Sequence, residues 1–299
     1  MTEQEILGRI NGIWLKLPGC TGVSALPEQL PSSIIKMDLS GCTGLTALPE
    51  QLPSSLKWLD LNDCTGLAAL PEQLPSSLTG LNLGGCTGLT TWPKLPSSLE
   101  WLSLDRWTWL ASIPEQLPNS LVDLILHNCT GLAALPEQLP SSIRWLGMHN
   151  CTGLKTLPKQ LPNLKWMDLS GSTGLTALPE QLPSSLGWLY LEDCTGLASM
   201  PEQMPYRLAS LNLGGCTGLR SLPEQLPNSL VNLYLHGCTG LTALPEHLPS
   251  SLECLRLDGC TGLTALPKQL PTRLTRLILT GCTGLPAEPK LPSSVHVIW

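Results

Sequence analysis

The sequence predicts a repeat solenoid in which stacked coils contribute parallel strands to one long sheet. The leading observation is a period of 22 residues, broken by two steps of 21, that returns cysteine to the same place in nearly every unit. Cysteine holds eleven of the thirteen equivalent places, which we call the cysteine ladder. Its members are Cys20, Cys42, Cys64, Cys86, Trp107, Cys129, Cys151, Ser172, Cys194, Cys216, Cys238, Cys260 and Cys282.

Each unit contains a short strand, as residues 56–77 illustrate. Leu59 and Leu61 alternate with Trp58 and Asp60 in the sequence. Side chains in a strand alternate between its two faces, so the leucines share the inward face while Trp58 and Asp60 point outward. One coil cannot bury its own leucines, and stacking of neighbouring coils is needed to form a continuous core.

After the strand, each coil turns and returns along its other side. The turn falls on the Cys-Thr-Gly triplet at residues 64–66, where we expect Gly66 to supply backbone angles that other residues avoid. Pro71 and Pro75 follow, and prolines at this spacing exclude a regular helix. We therefore expect an extended or polyproline-like return limb, with Leu74 as its inward anchor.

The period and the L-x-x-L-x-L-x-x-C core identify the units as leucine-rich repeats. This implies a solenoid of the α/β horseshoe class, with a parallel sheet on its concave face and an extended convex side. We predict a single domain over residues 1–299 with about 13 coils. Residues 1–19 form an N-terminal cap and an irregular first strand, and residues 20–299 form the repeat array.

The two ends of the chain depart from the repeat. Thr2 and Glu5 have the spacing of a capping box, which predicts a short helix running to about Asn11 that covers the first coil. At the other end, residues 294–299 begin one more strand without a polar cap. Either Trp299 covers the last leucines, or the chain is part of something longer.

Two halves of the unit resemble repeats of known families. The strand half, LxLxxCTGLTALPE, resembles repeats of plant intracellular immune receptors and related protist proteins. The return half, LPEQLPSSL, resembles the LPX-type repeats of bacterial effectors that are delivered into host cells. The resemblance implies a scaffold for protein recognition, with host-directed delivery as a further implication.

The resemblance to these families does not imply an enzymatic activity. Some effector relatives have a C-terminal ubiquitin-ligase domain with a Cys-x-Asp nucleophile, and this sequence contains no Cys-x-Asp. Nor does it contain a nucleotide-binding domain of the receptor type. No catalytic triad or pair of carboxylates stands out from the repeat pattern. We predict that the protein is not an enzyme and that it uses no cofactor.

The composition of the chain excludes some classes of partner and indicates the cellular compartment. The net charge of −6 and the pI of about 5.4 argue against nucleic acid, because no basic stripe is present to neutralise phosphates. The apolar runs are too short to span a bilayer. The first residues include Glu3 and Glu5 and no apolar stretch of a secretory signal. We expect a cytoplasmic protein, or one secreted into a host cell without a cleavable signal peptide.

The cysteines favour a reduced ladder. Eleven of the twelve share one inward repeat position, and Cys254 is the exception. One ladder position is Ser172, which cannot form a disulfide. We interpret the thiols as packing groups and weak hydrogen-bond donors in a reducing compartment, with disulfide or metal roles as alternatives.

The predicted partner-binding site is a row of outward aromatic side chains. We call the position six residues before each ladder member the indole column, because it includes Trp14, Trp58, Trp101, Trp145, Trp166 and Trp188. The predicted site comprises Trp58, Trp101, Trp145, Trp166, Trp188, Tyr190, Tyr234, Asp60 and Asp168. Trp and Tyr dominate protein interfaces, so a protein partner is the first hypothesis.

Two alternative hypotheses explain the same aromatic row. The indoles could stack on sugar rings in a carbohydrate-binding module. They could instead stack across strands and only stiffen the sheet, in a structural or designed array without a ligand. Trp145, Trp166 and Trp188 belong to consecutive coils, so we expect them to be spaced about 4.8 Å apart.

Two further groups of residues are candidate sites. Asp105, His127 and His149 share one column in successive coils, and a carboxylate with two imidazoles could bind a transition metal. Isolated polar residues on an exposed sheet are more common, so no metal site is predicted. Trp107 and Trp109 replace Cys and Gly in an irregular turn. They either form a surface bulge that offers two aromatics to a partner or mark a locally repacked coil.

Overall fold

The computed structural model describes residues 1–286 and 296–298. One helix and fifteen strands follow one another in these ranges, and every strand pairs with its neighbours in chain order. The elements are α1 (Glu3–Leu7), β1 (Ile10–Asn11), β2 (Trp14–Lys16), β3 (Lys36–Asp38), β4 (Trp58–Asp60), β5 (Gly80–Asn82), β6 (Trp101–Ser103), β7 (Asp123–Ile125), β8 (Trp145–Gly147), β9 (Trp166–Asp168), β10 (Trp188–Tyr190), β11 (Ser210–Asn212), β12 (Asn232–Tyr234), β13 (Cys254–Arg256), β14 (Arg276–Ile278) and β15 (His296–Ile298). The predicted repeat solenoid is confirmed. The C-terminal alternative that involved Trp299 lies outside the described residues.

The N-terminal cap is a short helix followed by a hairpin. Thr2 and Glu5 form the predicted capping box, because each side chain accepts a hydrogen bond from the backbone N–H of the other. The predicted helix was too long, since α1 ends at Leu7 and β1 pairs antiparallel with β2. Gly12 turns the hairpin with φ of +62°. The loop residues are Gly12 and Ile13, and a glycine at the first position of a two-residue loop is typical of hairpins, so Gly12 could have revealed the turn.

The strands place the repeat in strict register. From β2 to β15 all pairings are parallel, and equivalent positions of neighbouring coils are partners, as Trp58 of β4 is with Gly80 of β5. Leu59 and Leu61 are fully buried, whereas Trp58 and Asp60 are partly exposed, so the predicted alternation is confirmed. The solvent side of the parallel strands is the concave face of the solenoid.

The return limb is extended, as predicted, and a serine ladder holds it. In eight coils, the serine two residues after the turn proline donates to a carbonyl oxygen of the preceding coil at 2.6–2.8 Å. Ser55, for example, donates to the Ile34 carbonyl, and Leu56 N–H closes the turn on the Pro53 carbonyl at 3.0 Å. This ladder was missed from sequence, although the recurring Pro-Ser-Ser was its signal.

The prediction for Gly66 was wrong in its mechanism. The left-handed backbone is one residue before the ladder, at Asp63 with φ of +59°, and not at Gly66. Gly66 is needed because a Cβ there would lie 2.5 Å from the Thr43 carbonyl oxygen of the preceding coil. The left-handed position recurs with φ of 57–74° at Gly19, Gly41, Asp63, Gly85, Arg106, Asn128, Asn150, Gly171, Asp193, Gly215, Gly237, Gly259 and Gly281.

The cysteine ladder is a ladder of buried hydrogen-bond donors. All twelve cysteines lie within the described ranges and are free thiols. Ten ladder thiols donate to a backbone carbonyl of the preceding coil with S···O distances of 2.9–3.3 Å. Ser172 donates to the equivalent carbonyl, that of Met148, at 3.4 Å. Burial raises the pKa of the Cys86 and Cys129 thiols to about 12.

Trp107 is part of this ladder, and its interpretation as a surface bulge is wrong. It is 1% exposed, and its Nε1–H donates to the Leu83 carbonyl oxygen at 2.8 Å, the carbonyl that a ladder cysteine would use. Its ring stacks on Trp109 at 5.1 Å between centroids and meets the edge of Trp92 at 6.1 Å. The coil is therefore repacked around an indole that preserves the hydrogen bond of the cysteine it replaces.

Candidate functional site on the concave face

The predicted site residues all lie on outward positions of the parallel strands. The indole column residues start their strands, and Tyr190, Tyr234, Asp60 and Asp168 end theirs. Trp145 and Trp188 are 45% and 46% exposed, which makes them the most solvent-accessible indoles among the described residues. Trp58, Trp101 and Trp166 are partly buried. The structure thus gathers these residues on one face, over nine successive strands from β4 to β12.

The central part of the site is a stacked aromatic cluster. The rings of Trp145 and Trp166 lie 4.7 Å apart between centroids and 28° from parallel. Trp166 also approaches Tyr190 at 5.8 Å. Trp166 and Trp188 are strand partners, as expected, but their rings do not stack. The prediction that the three indole rings are evenly spaced is therefore wrong. Trp166 leans toward Trp145 and Tyr190, and Trp188 remains separate.

A second aromatic pair spans two coils. Trp58 of β4 and Trp101 of β6 have ring centroids 4.9 Å apart, although β5 lies between their strands. The contact is possible because the intervening position is Gly80, whose place is covered by the Trp58 ring. A Cβ at position 80 would overlap that ring. Gly80 is a residue of the site that sequence reasoning missed.

Contact between two side chains across an intervening glycine recurs with charged residues. Glu192 and His236 lie two coils apart, with Glu192 Oε1 3.1 Å from His236 Nε2 across Gly214. Arg106 forms an ion pair with Asp63 across Gly85. In each case a glycine in an outward column removes the side chain that would separate the two partners. The signal available in the sequence was a glycine between larger residues in the same column.

Asp60 and Asp168 have a structural task on this face. Asp60 Oδ1 accepts the N–H of Asn62 at 2.9 Å, and Asp168 Oδ1 accepts the N–H of Ser170 at the same distance. These bonds hold the turn that follows each strand. Burial, with repulsion from Asp38 and Asp63, raises the pKa of the Asp60 carboxyl. Any contribution of these two carboxylates to binding is therefore additional to a positioning role.

The column of Asp105, His127 and His149 forms a hydrogen-bond chain. Asp105 Oδ1 accepts the N–H of His127, and His127 Nδ1 accepts the N–H of His149, both at 2.9 Å. The acceptor nitrogen of His127 is thereby occupied. Within residues 1–286 and 296–298 there is no group of three or more His, Cys, Asp or Glu side chains arranged to hold a metal ion.

Asp123 has no predicted role from sequence, yet it occupies the indole column. It is the strand partner of Trp101 on one side and of Trp145 on the other. It is partly exposed, and burial raises the pKa of its carboxyl. The central part of the indole column therefore contains two ring pairs, Trp58 with Trp101 and Trp145 with Trp166, with Asp123 between them.

The sheet, the leucine core and the ladder define the molecule as a leucine-rich-repeat solenoid. Among solved structures it is similar to YopM, a leucine-rich effector protein from Yersinia pestis, with 26% identity and a TM-score of 0.64 over 99% of this chain and 90% of that one. A leucine-rich repeat protein from Bacteroides ovatus shares 19% identity with a TM-score of 0.48, over 96% of this chain and 78% of that one. No protein-family model matches the chain, and no curated protein matches it either. In the described part of the chain, no helix has the length and apolar character needed to cross a membrane.

Proposed function

We propose that the protein is a non-catalytic scaffold that binds another protein through the concave face of its sheet. The proposed contact residues are Trp58, Trp101, Trp145, Trp166, Trp188, Tyr190 and Tyr234, with Asp60 and Asp168 beside them. The observation that carries the proposal is the exposure of Trp145 and Trp188, at 45% and 46%, on a sheet whose leucines are otherwise fully covered. Large aromatic side chains supply most of the binding energy at interface centres.

The packing around these indoles supports binding over mere stiffening of the sheet. Among the described residues Trp188 has no aromatic partner, and it is 46% exposed, so much of its ring is accessible to a partner. Trp145 is held by Trp166, which fixes its orientation before a partner arrives. Pre-ordered aromatic side chains lose little conformational entropy on binding. Both features are typical of a recognition surface.

The likeness to YopM supports a more specific setting for this scaffold. YopM is a leucine-rich effector protein, and 99% of the present chain aligns with it. We therefore propose that this protein acts as an effector inside a host cell. The free thiols of the ladder support the same setting, because they are compatible with a reducing compartment.

The test is a comparison of three proteins in affinity capture from a eukaryotic cell lysate. They are the wild type, the concave variant Trp145→Ser/Trp166→Ser/Trp188→Ser, and the control Trp109→Ser. Trp109 is a suitable control because it is 40% exposed but lies in a turn away from the strand face. A protein captured by the wild type is then purified, and its Kd is measured for all three.

We expect the concave variant to bind at least about 30-fold more weakly, because loss of an interface hot spot costs about 2 kcal/mol or more. The Trp109→Ser variant is expected to bind like the wild type. Undiminished binding by a folded concave variant would show that the partner site lies elsewhere. A glycan array probed with the same three proteins addresses the carbohydrate alternative. Wild-type glycan binding that is lost in the concave variant, with no protein captured, would favour it.

A further inference from the structure

We propose that the slot formed by Trp101, Asp123 and Trp145 binds an arginine side chain of the protein partner. This inference rests on the proposed concave-face function and deepens it, since it names the chemistry that the partner presents at one subsite. The slot differs from the rest of the face because it combines aromatic walls with a carboxylate between them.

The walls follow from strand register and stacking. Trp101 and Trp145 start β6 and β8, and Asp123 starts β7 between them. Two ladder steps separate the outer strands by about 9.6 Å. Trp101 stacks on Trp58, and Trp145 stacks on Trp166, so each indole is held by a partner on the side away from Asp123. Two fixed aromatic groups therefore flank the carboxylate.

Asp123 has a free carboxylate at the base of this slot. Within the described residues its side chain makes no hydrogen bond and no ion pair, whereas Asp105 accepts a backbone N–H and Glu192 contacts Asn212 and His236. Partial burial raises the pKa of the Asp123 carboxyl because nothing compensates the loss of solvent. A bound cation would supply that compensation.

The charge of the surrounding face favours a cation. In the coils from β3 to β10, the positions six, four, two and one before the ladder hold eight acidic residues and two basic ones, Lys36 and Arg106, and Arg106 is already paired with Asp63. These eight acidic residues are Asp38, Asp60, Asp63, Asp105, Asp123, Asp168, Glu192 and Asp193. The position just before each strand adds Glu100, Lys57, Arg144 and Lys165, so acidic residues still outnumber basic ones. The coils from β11 to β14 differ, with Arg256 and Arg276 against Asp258. The slot lies in the acidic part, where the local potential attracts positive charge.

Arginine fits this slot better than lysine. Its planar guanidinium can stack against an indole while two of its N–H groups reach one carboxylate, and lysine has neither the plane nor the fork. Ile125, which ends β7 and is partly exposed, offers an apolar surface beside the slot for the aliphatic stem. A lysine could use the charge of Asp123 but not the stacking geometry.

The experiment uses three capped tripeptides, Gly-Arg-Gly, Gly-Lys-Gly and Gly-citrulline-Gly. Citrulline retains the shape of arginine without its charge. Binding is followed by NMR through the indole N–H signals of the full chain, with Trp101→Phe and Trp145→Phe variants assigning the two signals. The charge variant is Asp123→Asn, and the matched control is Glu137→Gln, an exposed carboxylate on the return limb.

We expect the arginine peptide to bind with a millimolar Kd and to shift the Trp101 and Trp145 signals. Asp123→Asn should weaken this binding about tenfold, the loss expected for a hydrogen-bonded charge, while Glu137→Gln leaves it unchanged. The inference is overturned by equal binding of the citrulline peptide, by tighter binding of the lysine peptide, or by no shift at millimolar concentrations. The citrulline comparison needs no variant and is independent of any effect on folding.

The two proposals can fail separately. If the triple tryptophan variant loses the protein partner while Asp123→Asn does not change arginine binding, the concave interface stands and the arginine subsite is wrong. If the arginine peptide binds as expected while the triple variant retains its protein partner, the preference of the slot for arginine stands, but the proposed interface and the role of the slot in partner binding are wrong.

Discussion

Trp58 and Trp101 stack with their ring centroids 4.9 Å apart, although a whole coil lies between their strands. Gly80 makes the contact possible, because the Trp58 ring covers the place where a side chain at position 80 would stand. The missing side chain of Gly80 thus allows the two indole rings to come into contact. The arrangement of the concave face depends on such gaps as much as on the aromatic residues themselves.

The first prediction concerns this gap. Gly80→Ala places a Cβ within the Trp58 ring, so the ring must move and the stack with Trp101 must open. We expect a loss of the coupled indole signal in near-ultraviolet circular dichroism, with destabilisation of about 1–3 kcal/mol from overpacking. Gly187→Ala is the control, because its Cβ would find no atom closer than 3.7 Å. An unchanged spectrum for Gly80→Ala would contradict the two-coil stack.

The second prediction concerns Trp107. Trp107→Phe keeps an aromatic ring but removes the indole N–H that donates to the Leu83 carbonyl, which then keeps only its bond from the Cys86 N–H. We expect a loss of about 1–3 kcal/mol in the free energy of unfolding, from one lost buried hydrogen bond and a small cavity. Trp109→Phe should cost less than about 0.5 kcal/mol because Trp109 is exposed. Urea denaturation measures both, and equal effects would show that Trp107 acts only as a filler.

The third prediction compares serine with alanine at the ladder. Cys216 Sγ donates to the Leu191 carbonyl at 3.0 Å, and Ser172 performs the same role in its own coil. Cys216→Ser keeps this donor, whereas Cys216→Ala leaves the Leu191 carbonyl with the backbone N–H of Cys194 alone. We expect the serine variant to be more stable by about 1 kcal/mol, the value of a typical buried hydrogen bond. Hydrophobicity alone predicts the opposite order, so a more stable alanine variant would refute the donor role.

The fourth prediction is a loss of stability at alkaline pH. Burial raises the pKa of Cys64, Cys86 and Cys238 from 9.0 to about 12. Between these values the unfolded chain has lost the thiol proton while the folded chain retains it, so the free energy of unfolding falls as pH rises. The free energy of unfolding keeps its full value below pH 9. Above pH 9, each such thiol lowers the free energy of unfolding by up to about 1.4 kcal/mol per pH unit.

Urea denaturation at a series of pH values from 7 to 10.5 measures this effect. The slope should be near zero below pH 8.5 and steep above pH 9, because several ladder thiols titrate together. A matched check is the rate of thiol labelling at pH 8, where the buried thiols should react only after unfolding. Stability that is constant up to pH 10.5 would contradict the buried ladder.

The repeat and its strands could be predicted because they depend on local patterns. The alternation at Leu59 and Leu61 and the recurrence of the ladder cysteines follow from a period that is visible in the chain. The parallel register then follows from stacking equal coils. The selection of Trp145 and Trp188 as exposed residues follows from the same alternation, and their role in binding a partner remains a prediction.

Other features could not be predicted because they depend on several coils at once. The stack of Trp58 on Trp101 requires knowledge of the coil between them, and the lean of Trp166 depends on both Trp145 and Tyr190. The burial of Trp107 depends on its contacts with the rings of Trp92 and Trp109, which belong to different coils. The close approach of Gly66 to the Thr43 carbonyl is likewise a property of two adjacent coils, which no single unit reveals.

The most direct test of the whole account is residue-resolved hydroxyl-radical footprinting of the folded protein. It compares tryptophans with one another, so the intrinsic reactivity of the side chain is constant. The account predicts rapid oxidation of Trp145 and Trp188, which face solvent from the sheet, and protection of Trp107, which is 1% exposed. Oxidation of Trp107 at the rate of Trp188, or protection of both Trp145 and Trp188, would contradict the assignment of the concave aromatic face.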